Sequence, residues 1–176
     1  MKISEDLYNA LLNQWVEEKE NSHTYLYIGA YLKNKGLDKM GKIFFDASHE
    51  EDGHAQSILK LLTDLNLEFI PRTINEQVFD CSSISLVADK FLQREMQTTQ
   101  SLQEIKEIAM NESSSGFEAV IEEHIRKMIS EQQPELEEAL SFKDKSELFT
   151  EWWQVALWDL EIDEYFDVFE IDENNT

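Results

Sequence analysis

The chain has 176 residues, enough for one domain with a closed apolar core. Its 37 acidic residues against 15 basic ones give a formal charge of -22. A surface that acidic repels nucleic acid and anionic membranes and attracts cations, divalent metals among them. Gly and Pro number only 5 and 2, which favours long uninterrupted helices, and the single Cys81 excludes an internal disulfide. The opening MKISEDLYNALL lacks a basic segment ahead of an apolar run, and no stretch approaches the roughly 18 apolar residues of a membrane span. The expectation is a cytoplasmic protein with no membrane or nucleic-acid partner.

Four long segments read as helices, over 5–34, 38–66, 84–112 and 116–142, followed by an aromatic segment at 146–170. The junctions NKG (34–36) and NESSSG (111–116) are short and make antiparallel neighbours. The connection from 67 to 83 is long enough to run the length of a bundle. One long crossover between the second and third helices is the ferritin-like arrangement, so the fold class expected is all-α: a ferritin-like four-helix bundle with one long crossover and an additional C-terminal helix. Residues 1–145 form the bundle, and 146–176 add a helix and an acidic tail to the same domain.

Each helix carries an apolar seam that a polar group interrupts near its middle. The first seam reads Leu11, Trp15, Glu18, Ser22, Tyr25, Gly29 and Leu32. The second reads Met40, Phe44, Ala47, Glu51, His54, Ile58, Leu61 and Leu65. On the third, Ile84, Ala88 and Phe91 precede Glu95, Thr98 and Leu102; on the fourth, Ile125 and Met128 precede Gln132, Glu135 and Ala139. An acid three residues before a histidine recurs at Glu20/His23, Asp46/His49 and Glu51/His54, but only the last pair lies on a seam. Glu18 and Glu51 fall about 24 and 20 Å from the same bundle end, and Glu95 and Glu135 also meet at mid-height.

Four carboxylates and an imidazole thus converge inside an apolar core, with no Lys or Arg on the seams. Burying such groups without counter-charge costs several kcal/mol each. Two divalent cations would supply the charge, and an oxygen-rich, thiolate-free donor set with imidazole suits iron or manganese. Protonated, mutually hydrogen-bonded carboxyls are the bland alternative.

With these residues in place, the sequence closely resembles bacterial non-haem ferritins over residues 4–142. The likeness rests on Glu18 with Ser22 and Tyr25, EEDGH (50–54), SSISLVADKFLQRE (82–95) and SEQQPE (130–135). The resemblance implies a ferroxidase centre with two irons per subunit. Glu18 and His54 would bind one iron, Glu51 would bridge, and Glu95 with Glu135 would bind the second. Gln132 would be a nearby polar contact and Tyr25 a hydrogen-bonding or redox-active neighbour. It also implies oxidation of Fe(II) by O2 or H2O2, a homo-oligomeric 24-subunit shell and a stored ferric mineral. No haem is expected, since Asp52 follows Glu51 where haem-binding relatives carry a Met ligand.

Departures from the family pattern shape further expectations. Pro134 lies inside the fourth helix, where it should bend or open the chain near Ser130. Of the family's third iron site only Glu50 and Glu131 remain, so that site is expected to be weak or absent. The segment after 142 has no Gly and is strongly aromatic; it either caps its own bundle as an ordinary terminal helix or makes assembly contacts through Trp152, Trp153 and Trp158. Two other functions fit the same residues: a stand-alone di-iron oxidase or peroxidase of the rubrerythrin kind, and a non-catalytic acidic bundle that buffers metal.

Overall fold

Two serines begin helices by accepting backbone hydrogen bonds: Ser4 Oγ from the N–H of Leu7 at 3.1 Å, and Ser83 Oγ from that of Leu86 at 3.2 Å. In the computed structural model, which describes residues 3–111 and 118–162, they open α1 (Glu5–Asn34) and α3 (Ile84–Met110). The NKG junction closes α1 with a left-handed turn. Gly36 has φ 81°, its N–H reaches the Lys33 carbonyl, and the N–H of Leu37 reaches that of Leu32. α2 (Asp38–Asp64) ends the same way, with Asn66 at φ 55° in the glycine position. α4 (Glu118–Ser146) and a short α5 (Trp152–Glu161) complete the described residues, which contain no strand.

The 67–83 connection runs along α1 for its whole length. Tyr8 donates to the carbonyl of Glu68 at 2.8 Å, Arg72 donates to Asn9 and Asn13, Asn75 to Glu20, and Tyr27 to Phe79. The contacts rise in step on both segments, so the crossover is parallel to α1. It returns the chain to the end where α2 began, and α3 therefore runs parallel to α2. α1 packs along α2, and α3 along α4, with α1 beside α3 and α2 beside α4. This is the expected ferritin-like four-helix bundle. Among the described residues no helix is long and apolar enough to cross a membrane.

Two apolar clusters fill the interior, one on each side of a polar layer. One holds Tyr25, Met40, Phe44, Phe91 and Phe142. The other holds Leu11, Ile58, Leu61, Leu102 and Ile125. Each fully buried side chain of this size contributes about 1.5–3 kcal/mol. Between the clusters lie Glu18, Glu51, Glu95, Thr98 and Gln132, all buried.

Two boundaries differ from the sequence-based expectation. α4 runs to Ser146, because Lys143 ties its last turn to Asp89 of α3 at 2.8 Å and Ser146 is fully buried. α5 consequently begins at Trp152 instead of 146. Residues 163–170 of the expected helix, the DENNT tail and most of the 111–116 junction lie outside the described residues. Nor does Pro134 open α4, which is one helix through that position. Pro134 and Ser130 are both exposed, on the solvent side of α4, where losing one helical hydrogen bond costs least.

α5 lies across the end of the bundle with Val155, Trp158 and Asp159 buried. α2 has no capping side chain of its own, and Asp159 supplies one from 119 residues away, accepting from the N–H of Met40 at 2.7 Å. Trp153, Leu157 and Leu160 form the opposite, exposed face.

Candidate metal centre

The polar layer gathers ligand-capable side chains from all four long helices. α1 supplies Glu18 from its midpoint, and α2 supplies Glu51 and His54, three residues apart and so on one face. Their ligand atoms lie within 4.8 Å of one another. α3 supplies Glu95 and α4 supplies Glu135, and these with Glu51 make a second group equally tight. Glu51 belongs to both groups. The residues expected to bind one metal, to bridge and to bind the second metal are brought together in that pattern.

Hydrogen bonds organise the layer. Gln14 donates to Glu18 Oε1 at 2.7 Å. His54 places Nδ1 3.3 Å from Glu51 Oε2 and Nε2 3.4 Å from Glu135 Oε1. Glu95 accepts from the Tyr25 hydroxyl on one oxygen and from Gln132 Nε2, at 2.6 Å, on the other. Glu18 Oε2 and Glu135 Oε2 are buried and accept no hydrogen bond. Buried acceptors without donors are costly, and a cation between the two groups would satisfy both.

Electrostatics point the same way. Burial, with the facing Glu51, pushes the Glu18 carboxyl well above the usual range. Burial does the same to Glu51, aided by the charges of Glu95 and Glu135, and it raises Glu95. Glu135 is pushed up to about 8 by burial, with Glu95 and Glu18 adding to it. Burial and the nearby Glu95 and Glu51 also drive the Tyr25 phenol well up, so it stays a donor at any working pH. Burial thus biases Glu18, Glu51 and Glu135 toward the protonated form when no cation is present, and a bound dication would displace those protons. The donor set, four carboxylates and one imidazole with no thiolate, fits iron or manganese.

Neither Glu50 nor Glu131 joins the two tight groups. Glu50 is exposed, and Glu131 sits 3.5 Å from Lys127 on its own helix.

Sequence reasoning missed several participants. No cation stands on a seam, but Arg94, the residue before Glu95, is buried at the α1–α3 interface. It donates through Nε to Asn21 Oδ1 and through Nη2 to the carbonyl of Glu17, and it lies 3.7 Å from Glu20. Asn21, fully buried, passes this on: its amide donates to Thr98 Oγ1 at 2.9 Å and to Glu51 Oε1 at 3.3 Å. Glu138, one turn past Glu135, is pushed up to about 7 by burial and by Glu50 and Glu95. The only sequence signal for Asn21 and Arg94 is their adjacency to seam residues.

A family model described as a ferritin-like domain matches residues 8–143. A bacterial non-heme ferritin from Staphylococcus epidermidis is 26% identical over 110 residues, 62% of this chain and 66% of that protein. One from Staphylococcus aureus is 26% identical over 107 residues, 61% of this chain and 64% of that protein. The match thus spans just under two thirds of these relatives' length. An open-pore ferritin from the hyperthermophilic archaeon Archaeoglobus fulgidus superposes with TM-score 0.81 over 91% of this chain and 97% of its own, at 21% identity. A humanized archaeal ferritin gives 0.80 over 91% and 96%, at 22% identity. These two likenesses are of fold.

Proposed function

With residues 8–143 matching its domain model, the chain belongs to the ferritin family, and on that premise we propose that it is an iron-storage ferritin whose central carboxylate layer is a ferroxidase centre. The observation that carries this reading is the pair of tight ligand groups sharing Glu51. Two cations separated by one bridging carboxylate can give two electrons to a single oxidant, which isolated sites cannot. The substrate is Fe(II), two ions per subunit, and the oxidant is O2 or H2O2. Carboxylate-rich ligation favours the ferric product and so supplies part of the driving force.

The chain's own groups set the rest. Glu18 and His54 hold one ion, Glu95 and Glu135 the other, and Glu51 links them. Tyr25 and Gln132 fix both oxygens of Glu95, and Arg94 through Asn21 fixes one oxygen of Glu51. The carboxyls release their protons as they ligate, so uptake acidifies the medium. Storage requires a closed homo-oligomer, by family resemblance a 24-subunit shell. The exposed Trp153, Leu157 and Leu160 on α5 are an apolar contact surface for it.

Aerobic addition of Fe(II), followed by sizing and metal analysis, tests the reading. A large particle that keeps ferric iron soluble is expected, and Leu157→Glu should shift the protein to smaller oligomers while sparing the oxidation. A small species that oxidises iron and precipitates it would favour a stand-alone oxidase, and absence of oxidation would sink the proposal.

A further inference from the structure

At the end of the bundle opposite α5, the last turns of α3 and the first turns of α4 enclose an open cleft of about 520 Å³. Small-molecule sites run from about 300 to 1,000 Å³, so the cleft is of that size. Its floor is apolar: Ile121 and Ile125 are each 2% exposed, with Ala109, Ile129 and the exposed Met110 beside them. Three charged residues, Lys106, Glu122 and Arg126, complete the walls. None of these residues belongs to the polar layer.

The two cations stand apart from the rest of the chain. With 37 acidic residues present, a lysine or arginine here finds a partner easily. Among the described residues, Lys19, Lys60 and Lys143 pair with carboxylates, Arg72 binds amide oxygens, and Lys35 and Lys145 stand over aromatic rings. The other described cations are partnered too, except Lys106 and Arg126. Arg126 stands four residues after Glu122, on one face of the same helix, and does not pair with it. That spacing does close at Lys42–Asp46, Lys60–Asp64 and Lys127–Glu131. The two unpaired cations of the described residues thus line one apolar cleft. Even with Glu122 counted, its walls are net positive in a chain of charge -22.

An apolar floor beneath two free cations matches one ligand chemistry. A carboxylate takes two parallel hydrogen bonds from a guanidinium and another from an ammonium. An apolar body of about ten carbons gains by covering the isoleucines. The acidity of the whole chain opposes any anion, but salt screens it beyond about 8 Å, whereas the contacts at the cleft are direct. Glu122 opposes a second negative charge on the ligand, which narrows the class to monoanions. We propose that this cleft binds a small apolar monocarboxylate, its head held by Arg126 and Lys106 and its body laid on Ile121 and Ile125. The site is separate from the metal centre and does not depend on it.

The test is calorimetric titration of the full chain, in its native assembly, with three probes of one shape. These are 2-naphthoate, the neutral 2-naphthalenemethanol and the cationic 2-naphthylmethylammonium. Naphthoate should bind at one site per subunit, and the neutral probe about tenfold more weakly, since it lacks the charged hydrogen bonds. Arg126→Gln and Lys106→Gln should each weaken naphthoate by about five- to tenfold and leave the neutral probe unchanged. Lys42→Gln, the same charge change elsewhere on the surface, should have no effect. Ala109→Phe fills the cleft and keeps both cations, so it should abolish binding of both probes. Ile129→Ala shortens a wall and should weaken both alike, so the outcome does not hang on one variant. Melting temperatures report whether each variant keeps its fold. No binding of naphthoate by the wild type would overturn the proposal. So would wild-type affinity in both glutamine variants, or in Ala109→Phe, because the ligand would then sit elsewhere. Binding of the ammonium probe in the cleft as tightly as naphthoate would make Glu122 the anchor and overturn the choice of an anion. A change of particle size in Arg126→Gln would assign the cleft to a second copy of the chain, and overturn the small ligand.

Discussion

On the side of the centre nearer α3 and α4, Glu95 has a donor on each oxygen, from Tyr25 and Gln132. On the side nearer α1, Glu18 has Gln14 on one oxygen and no donor on the other. Both carboxyls are buried to 1% exposure. Equal burial with unequal hydrogen bonding gives the two halves different tasks. Glu95 is set before a cation arrives, since this ligand is already oriented and few of its rotamers remain to be lost. Each half keeps one bare oxygen, on Glu18 and on Glu135, but Glu18 lines a cavity and Glu135 does not, so the Glu18 half is suited to receiving a cation. Glu51, shared by both, couples them.

The change expected to matter most removes that coupling. Glu51→Ala should abolish tight binding of both ions, because each ligand group loses a member. Titration with Co(II) reads this directly. Retention of one ion would show that the halves are independent and that Glu51 is not shared in the loaded protein.

Selective damage should come next in size. His54→Ala removes a ligand from the Glu18 group alone, and Glu95→Ala one from the other group. Each should weaken its own site by about 100-fold or more, given that loss of a mere supporting contact costs about 10–100-fold. Fe(II) oxidation should slow strongly in both, because each leaves only one ion well held. Anaerobic crystals soaked in Fe(II) would show which ion is lost. Equal loss of both ions in either variant would contradict the division.

The bundle and most of this layer were legible in the sequence for one physical reason. Seam positions are the ones a helix buries, and a carboxylate standing there breaks an otherwise apolar series. Glu18, Glu51, Glu95 and Gln132 are all found buried. The rise of 1.5 Å per residue then placed the carboxylates at one level without any coordinates. Asn21 and Arg94 were invisible to that argument because they bury their polar groups off the seam, at the α1–α3 contact. There a polar residue looks in the sequence like a solvated one. Glu138 escaped for the same reason. The start of α5 was misplaced because the stretch KDKSE has no helix breaker, and what ends α4 is a turn closed by backbone bonds from Leu148 and Phe149 to Lys145 and Ser146.

A moderate effect follows from protonation. Glu135 has a folded value of about 8 against an ordinary 4.5, with burial the main cause. A group raised on folding contributes its full stability below the lower value and loses it as pH climbs through the higher one. The metal-free protein should therefore be more stable at pH 5 than at pH 8, by on the order of a few kcal/mol. Protein saturated with metal should lack that slope, since the cation replaces the protons. Thermal melting with and without metal checks it, and Glu135→Gln should flatten the metal-free profile. A metal-free protein that gained stability from pH 5 to 8 would mean the layer is ionised and balanced by positive charge outside it.

The smallest effect expected is that of Tyr25→Phe, and it separates orientation from packing. The Tyr25 ring lies in edge contact with Phe91 at 5.2 Å and near Phe44 at 6.2 Å, inside the apolar cluster next to the centre. Phenylalanine keeps those contacts, so only the hydroxyl is lost. That hydroxyl donates to Glu95, and hydrogen bonds to charged groups contribute about 1.5–3 kcal/mol. Some of this is regained when the freed oxygen turns to the cation, which sets the expectation at about tenfold weaker binding of the ion held by Glu95. The ion held by Glu18 should bind as in the wild type, because Gln14 and His54 are untouched. Titration with Co(II), resolved into two steps, gives both numbers from one experiment. Equal weakening of the two steps would mean that Tyr25 acts through the shape of the core, and the prepared character of Glu95 would then have to rest on Gln132 alone.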